Sequence, residues 1–317
     1  MDIYRDYFTR ESLVASVAQA PYVPGQLAAM GIFETRGLTS TTMAAEELGL
    51  NNVGPSAAIP RGAPAKAMTL DKRKAHTFVT STFAESLPVY ADEVLNVRAA
   101  GTSGAIEVIQ TRRNEAIAKL RAWADAQHEY LRMATLLSPN NAFGSKPADG
   151  SLALATDATK TRAEIFTKVI KPIEAALKGV PFSGVTVQCS DEFWVDLIEN
   201  KSIKDTYLGY QAAAELRGDP RDSFMFGGVT WERYRGSDST KITTNKAVAV
   251  PTGVAGLFLQ GFAPDDTIDS VGAGAMGAPY YPRSEAMKGG KGWELTMQTH
   301  PVMVCTRPAA IVTLAKA

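Results

Sequence analysis

The 317-residue chain is poor in the side chains that most often carry chemistry, with two cysteines and three histidines. With no C-x-x-C pair and so few imidazoles, a conventional zinc site is not expected. Cys189 and Cys305 each sit inside an apolar, strand-like run, where buried reduced thiols are a better reading than a disulfide. An excess of one charge is missing too. Lys plus Arg and Asp plus Glu number 33 each, so no global basic charge drives whole-surface binding to nucleic acid or to an anionic membrane. Residues 1–6 offer no basic region followed by an apolar one, and no window approaches the roughly 18 uninterrupted apolar residues of a spanning helix. Neither a signal peptide nor a membrane span is expected.

Catalytic motifs are absent or imitated only in letters. Gly272, Gly274 and Gly277 match G-x-G-x-x-G, but Pro279 and Pro282 follow, so no helix can open there to face a pyrophosphate. A flexible loop is expected instead. His128-Glu129-Tyr130-Leu131-Arg132 misses the zinc-protease H-E-x-x-H at its last position, and His128 then reads as a surface residue of a long helix. No G-x-S-x-G elbow occurs, since Gly101-Thr102-Ser103-Gly104 breaks the spacing and suits a helix start. Gly289-Gly290-Lys291-Gly292 shares only composition with a phosphate loop and reads as a mobile basic loop. The acidic pairs Glu46/Glu47 and Asp265/Asp266 fall in extended or turn segments, where solvated charge is the default. No catalytic residue, cofactor or metal ligand is assigned, and the chain is read as a non-enzyme.

What is present is an ordinary folding composition, 45% hydrophobic and 21% charged, in a length that allows about two domains or one with insertions. From 103 to 135 apolar residues recur at three- and four-residue steps (Ile106, Ile109, Ala116, Ile117, Leu120, Trp123, Ala124, Leu131), with Thr102 or Ser103 as cap and Pro139 beyond the end. Such a helix spans roughly 50 Å. A second helix covers 161–178, with Ile165, Val169, Ile173 and Leu177 on one side. A buried strand from Gly184 gives way at Ser190 or Asp191 to a helix whose apolar face is Phe193, Trp194, Leu197 and Ile198. A short helix near 211–216 and strands near 224–235, 247–259 and 294–314 follow. Helices and strands mix without a βαβ rhythm, so the class is α+β.

Residues 1–35, with Pro21, Pro24 and Gly25, read as an arm with little core of its own. From Gly37 to Leu48 and from Ala75 to Ala84 two strand-prone stretches flank a Gly/Pro-studded tip. An isolated two-stranded ribbon is marginal in water, so this excursion is expected to find its partner on another subunit. Between 49 and 84 lie five basic residues, Arg61, Lys66, Lys72, Arg73 and Lys74, against one acid, Asp71. Two readings fit, a solvated loop face or an electrostatic contact between subunits.

Taken together, the strand and Phe193-Trp194 helix, Lys201 and Lys204, Gly227-Gly228-Val229, Tyr280-Tyr281-Pro282, the run Gly292-Trp293-Glu294-Leu295-Thr296-Met297-Gln298-Thr299, His300-Pro301-Val302-Met303 and Pro308 resemble the lambda-type major capsid proteins of tailed phages, family E. The resemblance implies the Hong Kong 97 fold, with an N-terminal arm at 1–35 and an extended E-loop at 36–84. It places a P-domain with its spine helix at 85–155, an A-domain at 156–289 and C-terminal P-domain strands at 290–317. It implies a subunit that assembles with itself as pentamers and hexamers into the icosahedral head of a phage or prophage. That head forms in the bacterial cytoplasm and encloses double-stranded DNA contacted non-specifically. Scaffold, portal and decoration proteins are the further partners it implies. Some members seal their shells with a Lys–Asn isopeptide bond; Lys66, Lys72 and Lys74 could supply the amine, but no Asn follows Asn245. Non-covalent reinforcement is therefore expected. The alternatives are an encapsulin-type nanocompartment, which shares the fold, and an unrecognised hydrolase.

Overall fold

The computed structural model describes residues 8–20, 25–50, 58–65, 72–93, 105–152, 161–203, 223–236, 241–242, 245–267 and 275–316. The helix expected near 211–216, the cap at Thr102 or Ser103, Lys66, Lys204, Gly272 and Gly274 lie outside them. Helices α1 (Arg10–Gln19) and α2 (Gln26–Ala29) open the described chain. Strands β1 (Phe33–Gly37), β2 (Thr42–Glu46), β3 (Ala75–Val79) and β4 (Phe83–Tyr90) precede the 33-residue helix α3 (Ala105–Leu137). After β5 (Gly150–Leu152) come α4 (Thr161–Ile165), a π-helical turn (Phe166–Ile170) and α5 (Lys171–Leu177). Next are β6 (Gly184–Cys189), α6 (Asp191–Glu199), β7 (Phe224–Phe226), β8 (Val229–Arg233), β9 (Lys246–Thr252) and β10 (Phe258–Phe262). The chain ends with β11 (Tyr281–Ala286), β12 (Gly292–Thr299), β13 (Pro301–Cys305) and β14 (Val312–Lys316). The α+β reading holds.

The largest core lies on a six-stranded sheet, ordered β5-β14-β9-β6-β8-β7. Ser190 ends β6 and caps α6 by accepting from the Phe193 amide at 3.4 Å, which turns Phe193, Trp194 and Leu197 inward onto Trp231 and Phe224. Trp231 is fully buried, so its indole N–H needs a partner; it donates to the Phe226 carbonyl at 3.1 Å. The β7–β8 hairpin turns on Gly227 and Gly228, both at positive φ (67° and 82°). Only glycine takes two such residues in succession at little cost. The helix expected at 161–178 is present but carries a π turn, in which the Lys171 amide bonds to the Phe166 carbonyl. Pro172 supplies the reason, because its ring cannot donate back to the preceding turn and crowds the carbonyl there.

A second core forms where the three-stranded sheet β11-β12-β4 meets α3 and α1, so that the N-terminal segment, expected to have little core of its own, is covered by the rest of its own chain. Leu13 and Val17 of α1 are buried with Ile117, Leu120 and Ala124 of α3 and Leu295 and Met297 of β12. Phe8 stacks on Trp293 at 4.6 Å, and Thr9 caps α1. Arg121 of α3 donates to the Val17 and Ala20 carbonyls (2.6 and 2.7 Å), covering the open end of α1.

The ribbon is present as the antiparallel pair β2–β3. Its inner face is supported by its own chain: Met43 and Ala45 are buried with Phe143, Leu259 and Val304, and Phe78 packs beside them. The returning stretch leaves the ribbon after Val79, and from Phe83 it runs as β4 in register with β12. The C-terminal run stitches three sheets: β12 pairs with β4 and β11, β13 with β10, and β14 with β9 and β5.

Candidate functional site

The residues singled out on the ribbon are exposed in every case the structure describes: Arg61, Lys72, Arg73 and Lys74. None has an ion-pair partner among the described residues. Arg73 folds back on the chain, its guanidinium lying against Gly49. The strand beneath them is held by the Glu47 amide, which donates to the Lys74 carbonyl at 2.8 Å, and by a half-buried Arg307–Glu47 pair at 2.6 Å. Of the acidic pair Glu46/Glu47, the second is thus not merely solvated.

At the base of the ribbon, five separate segments meet in one charged junction. Asp265 was expected to be a solvated turn residue; instead its side chain is 3% exposed. It accepts from Arg10 of α1 at 2.9 Å and from Arg283 of β11, with Thr267 at 3.2 Å. Asp266 accepts from Arg283 and from Gln298 Nε2 at 2.8 Å. The bond from Arg283 holds its carboxyl below the usual range. His300, in the β12–β13 turn, shares a 2.9 Å hydrogen bond between Nδ1 and Thr82 Oγ1. Its ring is 3% exposed and burial pushes its pKa down.

Oxygens of Asp265 and Asp266 and a ring nitrogen of His300 lie within 4.8 Å of one another, a donor set of the kind that holds a cation. The positive charge there is already protein: Arg283 bonds to both carboxylates and Arg10 to one. Thr82, His300 and an aspartate also have the residue types of a nucleophile relay. His300 Nε2, however, is buried with no hydrogen-bond partner, and the aspartates are held by arginines, so the relay is not joined. The junction ties segments together.

His128 needs the plainest correction. It is not on the surface but 2% exposed, with Nε2 2.8 Å from Thr299 Oγ1 and its ring against Phe262 at 5.1 Å. Burial, then the nearby Arg132 charge, lowers its pKa to about 3. Glu129 accepts from the Leu27 amide at 2.6 Å and from Arg132 at 3.3 Å, while Arg132 Nε donates to Gln260 at 3.1 Å. The His128-Glu129-x-x-Arg132 stretch is therefore a buried polar clamp that ties α2, β10 and β12 to α3. A signal was present: Ile117, Leu120, Ala124, His128, Arg132 and Leu136 continue one stripe at three- and four-residue steps, all buried.

The other imitations resolve structurally. A Cβ on Gly277 would lie 1.9 Å from the Phe262 carbonyl oxygen, so this glycine serves close backbone approach rather than a nucleotide. The stretch read as a mobile basic loop, 289–292, is the hydrogen-bonded turn between β11 and β12, closed by the Met287 amide on the Gly292 carbonyl at 2.9 Å. Both cysteines are buried free thiols, with Cys305 pushed up to about 12 by burial. Among the described residues, no helix is long and apolar enough to cross a membrane.

Comparison with known proteins fits this architecture of sheets, spine helix and ribbon. The capsid of Ralstonia phage GP4 superposes with a TM-score of 0.58 at 12% identity, over 90% of this chain and 88% of that one. The putative capsid protein of a prophage of E. coli CFT073 gives 0.57 at 14%, over 97% and 99%. The capsid of Myoviridae phage XM1 gives 0.52 at 9%, over 94% of each. These likenesses show the Hong Kong 97 fold. Among curated proteins no sequence matches the chain. The family model for phage major capsid protein E matches residues 9–316. The chain therefore belongs to the phage major capsid protein E family and is a structural subunit of a capsid shell.

Proposed function

We propose that the subunit builds an icosahedral phage or prophage head through pentamers and hexamers, and that its ribbon, 36–84, reaches a neighbouring copy. The observation that carries the second part is the ribbon itself. It is a two-stranded sheet with one face on its own core and the other bare, and its four described basic residues have no ion-pair partner among the described residues. Segments 1–35, 85–155, 156–289 and 290–317 serve as arm, P-domain with spine helix, A-domain and closing P-domain strands. The packaged double-stranded DNA is contacted without sequence preference. Scaffold, portal and decoration proteins complete the assembly in the host cytoplasm. The shell is held non-covalently, since the sequence has no Asn after Asn245 to accept a lysine from the ribbon.

Deleting residues 51–66 tests the ribbon. The buried Met43, Ala45 and Phe78 contacts stay, so the subunit keeps its fold by circular dichroism, while negative-stain microscopy finds no closed shells. An unfolded deletion variant, or one that forms normal shells, would refute the assignment.

A further inference from the structure

We infer that helix α2 is a separable bolt between the long helix α3 and the six-stranded sheet, and that lifting it leaves the two free to turn about a pivot at Lys146. The device lies within one subunit and does not depend on how the ribbon is used.

At four residues α2 is too short to persist without tertiary support, and it has no side-chain cap of its own. Its seat on α3 supplies one. The buried Glu129 carboxylate accepts from the Leu27 amide at 2.6 Å and lies so close over Gly25 that a Cβ there would stand 2.5 Å from it. The other grips are on the sheet. Gln26 donates from Nε2 to the Arg233 carbonyl at 2.9 Å and accepts at Oε1 from the Arg235 amide at 3.0 Å, so its side-chain amide pairs with the end of β8 as a strand backbone would. Met30, just past the helix, has its sulfur 3.2 Å from Gln188 Nε2 of β6. One short helix thus holds α3 at its first turn and the sheet at two strands.

Little keeps the bolt in place. Leu27 is the one buried residue of α2, so lifting the helix exposes far less apolar surface than opening either large core. Behind it Gly31 stands at φ 63° in open space, where a Cβ would meet nothing within 4 Å. From Phe33 onward β1 is paired with β10 over all five of its residues. The helix can therefore swing at Gly31 while β1 stays where it is. The direct ties between α3 and the sheet are unequal. Near the bolt, the Tyr234 hydroxyl reaches Glu129 only at 3.4 Å. At the end of α3, Lys146 Nζ donates to the Leu137 carbonyl at 3.0 Å and to Thr313 Oγ1 of β14 at 2.5 Å. Glu129 and Leu137 are about 12 Å apart along the helix axis. With α2 lifted and Lys146 still bound, the end of α3 nearer Ala105 moves most.

Two variants release the bolt without deleting a core side chain. Gly25→Ala forces the Glu129 carboxyl and α2 apart, and Gln26→Ala removes the grip on β8. In each, hydrogen exchange on the full-length, unassembled subunit should speed up about tenfold or more at the Leu27, Met30 and Arg235 amides. Amides of β6 and of Ile117 to Ala124 should keep the parent rate. Spin labels at Lys119→Cys on α3 and Val195→Cys on α6 occupy exposed positions, and the two native thiols are buried. Their distance distribution by pulsed electron paramagnetic resonance should be narrow with the bolt intact and broaden in either variant. The pair Ser138→Cys and Val195→Cys, beside the pivot, should stay narrow in all three backgrounds. Faster exchange throughout the chain overturns α2 as a separate unit. So does release of α2 with an unchanged distribution for Lys119 and Val195, which would leave it fastening nothing. Unchanged exchange in both variants overturns the seat, and equal broadening for the Ser138 pair overturns the pivot.

Discussion

Acid should weaken the subunit through His128 before most carboxylates titrate. The ring is buried between Phe262 and Thr299, and its pKa falls from 6.5 to about 3 because burial disfavours the charged form and Arg132 repels it. The unfolded chain takes up this proton near pH 6.5 while the folded chain refuses it, so the contribution is complete above 6.5 and is lost as pH falls from there toward 3. Each unit within that window costs about 1.4 kcal/mol, or about 2.7 kcal/mol by pH 4.5, a large share of the roughly 5–15 kcal/mol that holds a typical domain. His128→Gln removes the titration while keeping an amide near Thr299. Urea unfolding of parent and variant, followed by tryptophan fluorescence from about pH 7.5 to 4.5, reads the difference. The variant should be less stable than the parent by about 1 kcal/mol at neutral pH and overtake it in acid. His300, lowered in the same direction, and Asp125, raised by burial, are common to both proteins and drop out of the comparison. Parallel pH slopes for the two proteins would refute the assignment.

Trp231→Ala should cost roughly 3–5 kcal/mol in the same urea experiment, because the side chain is wholly buried beside Phe193; a loss under about 1 kcal/mol would contradict that packing. Asp265→Ala should destabilise more than Arg10→Ala. The aspartate is buried and strands two arginines when removed, approaching roughly 3 kcal/mol, whereas Arg10 is 49% exposed and worth about 0–1 kcal/mol. Equal effects would show that the junction is a surface pair only. Particles boiled in detergent should run as single chains on a denaturing gel, and a ladder of covalent dimers to hexamers, abolished by changing one ribbon lysine, would refute non-covalent sealing.

The elements legible in the sequence were those whose causes are local. Ser190 ahead of Phe193, Trp194 and Leu197 carries both a cap and an apolar face, and β6 into α6 follows from that stretch alone. Two successive glycines before Val229 specify a hairpin turn by backbone sterics. The apolar steps of α3 place it to within two residues of its observed ends. Even the π turn had a local cause in Pro172, although a proline in a helical pattern more often signals a simple break.

What stayed hidden has one physical origin, polar groups whose partners are remote in sequence. His128 meets Thr299 171 residues away, and Asp265 meets Arg10 at a separation of 255. Residue type alone assigns such groups to the surface, since an unpaired charge would be costly inside. The stripe of α3 could have overridden that default. Ala124 and Leu136 bracket His128 and Arg132 on the same helical face, so a polar residue there must either break the core or be paired within it. The same reasoning separates the two kinds of charge in this chain. Charges on an apolar stripe or beside a buried turn find partners at home, as Arg132, Arg283 and Asp265 do. Those on the ribbon, Arg61, Lys72, Arg73 and Lys74, interrupt no stripe and find no ionic partner among the described residues.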